Sequence, residues 1–262
     1  VPGPIALLGS GEFTAAMLDV DRDLLAATGR RRPRVAIVPT ASWPDGEATF
    51  RTWIAQGCAH FGDLGAEVEP VELRSRDDAD DPAWTQAIGE ADLVYLSGGK
   101  PRHLVEALVG TPVGEALTEV HRRGGVIAGC SAGAMALAAQ HLRLAGRRRV
   151  RVPIGWRRAL GIVEGTAVLP HYDSLPESLV AALVLALPRS PVVLGIDEET
   201  AVVGVDGTWQ VRGRGRVTVW RGRHRARHRD GDTFRLPIAP ADPGAPREAG
   251  AAGGAGGGPG QR

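Results

Sequence analysis

The sequence predicts an α/β protein in which a doubly wound, mostly parallel sheet carries a hairpin or meander at its C-terminal end. Two observations carry that expectation. Short runs of aliphatic residues recur between segments with helical spacing, and from Ala201 the pattern turns to strict alternation broken by turn signals. A third, the length of 262 residues with 43% apolar content, says that one sizeable core can be built.

The strand candidates come in order as Ile5 to Leu8, Arg34 to Val38, Glu67 to Leu73, Asp92 to Leu96, Val126 to Ala128 and Val192 to Ile196. Continuous apolar runs of this length are the mark of strands buried on both faces. Between them, Glu47 to Phe61, Pro82 to Glu90, Pro101 to Leu108 and Gly114 to Arg123 place apolar residues near helical spacing. Strands joined by helices imply right-handed crossovers, and sheets of that kind place their chemistry in the loops beyond the strand C-termini. The loops Gly9-Ser10-Gly11-Glu12, Pro39 to Ser42, Ser97 to Lys100 and Gly129 to Gly133 are therefore expected to meet in one crevice. Val202 to Val205, Thr208 to Val211 and Arg216 to Trp220 form the meander. Residues 1–238 read as a single domain, and 239–262, rich in Ala, Gly and Pro, as a disordered tail.

Charge excludes some partners. The formal net charge of +1 offers no overall field for nucleic acid or an anionic membrane. Two cysteines, Cys58 and Cys130, are too few for a disulfide framework and lack metal-ligand spacing, so no metal and no organic cofactor is expected. Neither a charged stretch leading into an apolar segment at the start nor a run of about 18 apolar residues is present, and the expectation is a soluble, cytoplasmic protein.

The most informative stretch is Gly129-Cys130-Ser131-Ala132-Gly133, set between a buried strand and an Ala-rich segment. Glycines two before and two after a serine let the backbone turn sharply and push its hydroxyl out over the sheet edge, as a nucleophile elbow requires. Ser131 is the candidate nucleophile and Ala132 a candidate oxyanion N-H donor. Cys130 is the more reactive atom type, but the elbow presents only its central residue, so Cys130 reads as a small core hydrophobe.

A serine needs a base. Of seven histidines, His171 alone follows an apolar run, Thr166 to Leu169, and sits in a short polar loop. His60, His121 and His141 read as solvent-facing helix residues, His224 and His228 as surface, and His103 as the reserve. Asp197, Glu198 and Glu199 follow the strand ending at Ile196 and are the candidate acids. Gly98 and Gly99 are expected to bring a second oxyanion N-H, since paired glycines let backbone approach a substrate carbonyl. Lys100 and Arg151, the latter in an Arg-rich linker from Arg147 to Arg158, are candidates for holding an acidic substrate.

Taken together, Leu7 to Glu12, Leu96 to Gly99, Gly129 to Gly133, Pro170-His171-Tyr172 and Gly195 to Ala201 resemble, in order and spacing, the serine peptidases that include alpha-aspartyl dipeptidase (peptidase E) and cyanophycinase. That resemblance implies the flavodoxin-like, class I glutamine amidotransferase-like fold, a Ser131 nucleophile, a His171 base and, on the cyanophycinase pattern, Glu198 as the acid. The dipeptidase pattern has an Asp shortly after the nucleophile, and no Asp lies between Ser131 and His171 here. Cyanophycinases have Gly-Gly-Asp-Gln where this chain has Gly98-Gly99-Lys100-Pro101, which points toward a short, Asp-containing peptide rather than cyanophycin. Pairing into a homodimer is also implied. An esterase or amidase on a non-peptide acyl group, a glutamine amidotransferase and a non-catalytic ligand-binding relative are the rival readings.

Overall fold

The computed structural model of the chain describes residues 1–147, 150–186 and 191–236. Strand and helix alternate through β1 (Ile5–Leu8), α1 (Leu18–Ala27), β2 (Arg34–Val38), α2 (Glu47–Asp63), β3 (Glu67–Pro70), α3 (Pro82–Gly89) and β4 (Leu93–Leu96). They continue with α4 (Pro101–Leu108), α5 (Pro112–Arg122), β5 (Val126–Cys130) and α6 (Ala132–Leu137). Next come β6 (Ala138–Arg147), β7 (Val150–Arg158), β8 (Val163–Leu169), α7 (Glu177–Ala186) and β9 (Val192–Ile196). The remaining strands are β10 (Thr200–Val205), β11 (Thr208–Gly213), β12 (Arg216–Arg221), β13 (His224–Arg229) and β14 (Thr233–Arg235). Helix starts follow the local chemistry: Pro opens α3, α4 and α5, and the side chains of Asp81 and Thr111 accept N-H bonds from Ala83 and Gly114 to cap two of them.

The larger sheet has eight strands in the order β14-β11-β10-β1-β5-β4-β2-β3. Its β1, β5, β4, β2 and β3 are parallel, while β10, β11 and β14 continue it in antiparallel fashion; of the expected meander, Val202 to Val205 and Thr208 to Val211 lie here in β10 and β11, but Arg216 to Trp220 lies in β12, which pairs with β9 and β13 in another sheet. Side chains alternate across it. Ala6, Leu8, Val35, Ile37, Leu93 and Tyr95 face α1 and α2, whereas Leu7, Ala36, Val38, Val94, Leu96 and Ile127 face α3, α4 and α5. Helices thus cover both faces, as a parallel sheet demands.

A second, six-stranded sheet in the order β13-β12-β9-β8-β6-β7 departs from the expected single sheet. Val192–Ile196 belongs here, parallel to β8, and of the Arg-rich stretch expected as a linker Val150–Arg158 is strand β7, antiparallel to β6. Val168, Leu194, Ile196, Val217 and Val219 turn one face of this sheet into the main core; Leu169, Tyr172, Val193 and Trp220 meet Val180 and Val184 of α7 on the other. The expected tail, 239–262, lies outside the described residues. Among the described residues no helix is long and apolar enough to cross a membrane.

Candidate active site

At the end of β5 the chain turns from strand to helix in one residue. Ser131 takes φ 50° and ψ −106°, a conformation that costs an L-residue energy and persists only where its surroundings over-determine it. Those surroundings are backbone. A Cβ on Gly133 would overlap the Leu96 carbonyl of β4, and one on Gly129 would overlap Gly133. Ser131 N-H donates to the Leu8 carbonyl at 2.9 Å, and its own carbonyl accepts from Met135 N-H at 3.1 Å. Ala132 N-H, at the first position of α6, has no acceptor within the helix. The expected helix is only six residues long before the chain runs into β6, so His141, expected on a solvent-facing helix, is a buried strand residue.

His171 lies just beyond β8, two residues past Leu169, and is itself left-handed at φ 51°. The next residue anchors it. The Tyr172 ring lies against Gly195 of β9 so closely that any Cβ there would overlap it, and Tyr172 Oη accepts from Trp220 Nε1 at 2.9 Å. So held, His171 Nε2 stands 3.0 Å from Ser131 Oγ and Nδ1 stands 2.8 Å from Glu198 Oε1. A carboxylate only accepts, so the proton belongs on Nδ1 and Nε2 is left to accept from the serine.

The acidic triplet is divided by its partners. Asp197, nearly buried, accepts Arg216 N-H at 2.9 Å, and burial pushes its carboxyl above the usual range. Glu199 pairs with Arg214 at 3.0 Å. Only Glu198 reaches the imidazole, its N-H donating to Asp173 Oδ1 at 3.0 Å. Asp173 is thus part of the arrangement as a support for Glu198.

The loop after β4 closes the crevice. Gly99 adopts φ 141°, a Cβ there would overlap the Ala41 carbonyl, and Lys100 N-H donates to that carbonyl at 2.6 Å. A Cβ on Gly98 would come within 3.4 Å of Ser131 Cβ, so the loop passes directly beside the serine. The Gly98 N-H, however, is not free as expected: it donates to Glu12 Oε1 at 2.9 Å. Gly99 N-H has no partner among the described residues.

Other candidates are occupied elsewhere. Lys100 Nζ pairs with Asp45 at 2.8 Å while half exposed, and the Arg151 side chain lies outside the described residues. His103 Nε2 is 2.6 Å from the Arg74 carbonyl. His60, expected at the solvent, is nearly buried with Nε2 2.8 Å from Asp21. Cys130 is fully buried, and burial together with the Glu12 carboxylate lifts its thiol well above the usual range, so it stays protonated beneath the elbow.

The model of peptidase family S51 matches residues 5–212. A cyanophycinase of Trichormus variabilis is 27% identical over 224 residues, spanning 82% of this chain and 72% of its own. The uncharacterized peptidase YgaJ of Bacillus subtilis is 27% identical over 171 residues, spanning 64% and 68%. Among solved structures, a peptidase from an acI-B1 actinobacterium superposes with a TM-score of 0.79 at 30% identity, over 90% of this chain and 97% of that one. A peptidase E-like protein of Listeria monocytogenes EGD-e shares the fold, with a TM-score of 0.61 at 17% identity over 82% and 100%. An elbow serine, a histidine and a carboxylate in one crevice, on a fold shared with peptidases and under a family model that spans most of the sequence, lead to one assignment: the chain belongs to peptidase family S51 and is a serine-type peptidase.

Proposed function

We propose that the enzyme cleaves a peptide bond through an acyl-enzyme on Ser131. The observation that carries this reading is the unbroken hydrogen-bonded run from Ser131 Oγ through both ring nitrogens of His171 to Glu198. As Oγ bonds to the scissile carbonyl carbon, His171 Nε2 takes the hydroxyl proton, and Glu198 stabilises the resulting imidazolium. The N-H groups of Ala132 and Gly99 receive the oxyanion, since Gly98 N-H is committed to Glu12. The imidazolium then gives its proton to the leaving amine as the C–N bond breaks, and water repeats the sequence on the ester to release the acid.

For the substrate we propose a short peptide containing aspartate. Support comes from the likeness to cyanophycinases and from the resemblance of the sequence motifs to those of alpha-aspartyl dipeptidases. The experiment is reaction with a fluorophosphonate probe and mass mapping of the adduct on wild type, Ser131→Ala, His171→Ala and Glu198→Ala, followed by a panel of dipeptides with and without Asp. The expected result is an adduct on Ser131, slowed in the other two variants, and hydrolysis confined to Asp-containing peptides. An adduct elsewhere, or none on folded wild type, would overturn the mechanism; hydrolysis indifferent to Asp would overturn the substrate class.

A further inference from the structure

Beneath the oxyanion loop lies a carboxylate that the catalytic reading does not use. Glu12, in the loop after β1, divides its two oxygens: Oε1 accepts Gly98 N-H at 2.9 Å and Oε2 accepts the Cys130 thiol at 2.8 Å. One end of this bridge is the loop beside Ser131 and the other is the residue immediately before Ser131. We propose that Glu12 is a positioning residue that ties the oxyanion loop to the underside of the nucleophile elbow, so that Gly99 N-H rather than Gly98 N-H is turned to the oxyanion. The proposal rests on Ser131 being the nucleophile.

Four features of the surroundings fit this role. The backbone on either side of Glu12 is constrained, with Gly11 at φ 87° and Phe13 at φ 61°. A left-handed Phe is held only by packing, and its ring lies 5.1 Å from Tyr95, 5.8 Å from His60 and 6.0 Å from Phe61. The same loop braces the opposite wall, since Ser10 Oγ accepts Glu199 N-H at 3.4 Å, one residue past the proposed acid. Cys130 is buried and protonated, so it is a donor for Glu12 and not a second nucleophile. Gly98 is fitted to the arrangement, because a Cβ there would stand 2.6 Å from Glu12 Oε1. The loop after β1 therefore fixes both sides of the crevice relative to the serine, and Glu12 makes the contact nearest the reacting atoms. Losing one oxyanion donor costs on the order of 10²- to 10³-fold in rate, and a misdirected donor is equivalent to a lost one.

The test uses the full chain with a fluorophosphonate probe, whose phosphoryl oxygen enters the oxyanion hole as Ser131 Oγ displaces fluoride. Wild type, Glu12→Ala and Glu12→Gln are compared in inactivation rate constant, in half-saturating probe concentration and in hydrogen exchange at the Gly98 and Gly99 amides. Glu12→Ala is expected to lower the rate constant about 100-fold with half-saturation changed less than about threefold, and to speed exchange at Gly98. Glu12→Gln, whose amide oxygen still accepts from Gly98 N-H, is expected to recover most of the rate and the protection. Unchanged kinetics and unchanged exchange in Glu12→Ala overturn the proposal, as does a glutamine variant no better than alanine. If folded wild type carries no adduct on Ser131, the proposed function falls, and unaltered Gly98 exchange in Glu12→Ala then removes the tie as well.

Discussion

The two halves of the crevice are held by different kinds of force. On the nucleophile side, Ser131 sits where three strands of the main sheet, β1, β4 and β5, come together, and its place is set by backbone against backbone: Leu8 carbonyl, Leu96 carbonyl, Gly129 and Gly133. On the other side His171 and Glu198, whose side chains are 43% and 48% exposed, hang from the ends of β8 and β9 in the second sheet; the Tyr172 ring on Gly195 sets the backbone beside His171, but the two side chains themselves are placed by hydrogen bonds, to each other and to Ser131. Steric placement leaves no graded failure, because an overlapping atom moves a whole strand. Polar placement fails by degrees, because each contact restrains one group. The nucleophile should therefore be sensitive to the fold, and the side chains of the base and acid chiefly to their hydrogen bonds.

The largest expected effect is that of Ser131→Ala, which removes the reacting atom. Turnover should fall by about 10⁴-fold or more with the thermal midpoint nearly unchanged, read by peptide hydrolysis and calorimetry. Residual turnover within about tenfold of wild type would place the nucleophile elsewhere. Gly133→Ala breaks the comparison from the steric side. Its Cβ would overlap the Leu96 carbonyl and Cβ, neither of which can move without the strand, so we expect more than about 3 kcal/mol of destabilisation, seen as a lower denaturant midpoint or loss of soluble protein. Glu198→Gln sharpens it from the polar side: kcat should drop about 10²- to 10⁴-fold while stability, at so exposed a position, shifts by less than about 0.5 kcal/mol. If Glu198→Gln unfolds the protein, or if Gly133→Ala melts like wild type, the distinction fails.

The same division explains what could be read in the sequence. The elbow was legible because Gly-x-Ser-x-Gly after a buried strand is a local pattern with a local cause, and β1, β2, α4 and β9 stand where their apolar runs placed them. The second sheet was not. Strands β8 and β9 have the aliphatic character of main-sheet strands, and nothing in Thr166 to Leu169 or Val192 to Ile196 says which sheet they join. The paired strands β6 and β7 do alternate, as in Leu142-Arg143-Leu144 and Val150-Arg151-Val152, but a density of arginines reads first as a solvated stretch. His60 and His141 looked exposed because a histidine among polar or small residues gives no sign of a buried partner or of a strand. Glu198 could be preferred over Asp197 and Glu199 only by resemblance, since the three differ in what lies across the crevice from them. Glu12 and Asp173 escaped notice as supports because their partners lie 86 and 25 residues away.

The smaller effects test how the polar side is assembled. Asp173→Ala frees the Glu198 N-H and should lower kcat about 10-fold, since a displaced catalytic group loses rate steeply with distance; Asp173→Asn, which still offers an acceptor, should recover most of it. An alanine variant as active as wild type would mean that the β9 turn holds Glu198 unaided.

Tyr172→Phe is the mildest change and separates anchoring from chemistry. It keeps the ring that lies on Gly195 and removes only the hydroxyl that accepts from Trp220 Nε1. That indole N-H is enclosed between the second sheet and α7, so leaving it without an acceptor should cost about 1–3 kcal/mol, seen as a lower denaturant midpoint. Because the ring still sets the path of the backbone into His171, kcat should change by less than about threefold, the size of an indirect effect on a group that keeps its hydrogen bonds. A drop in kcat comparable to that of Asp173→Ala would show instead that the hydroxyl, and not the ring, fixes the imidazole, and would make the base side as dependent on core packing as the nucleophile side.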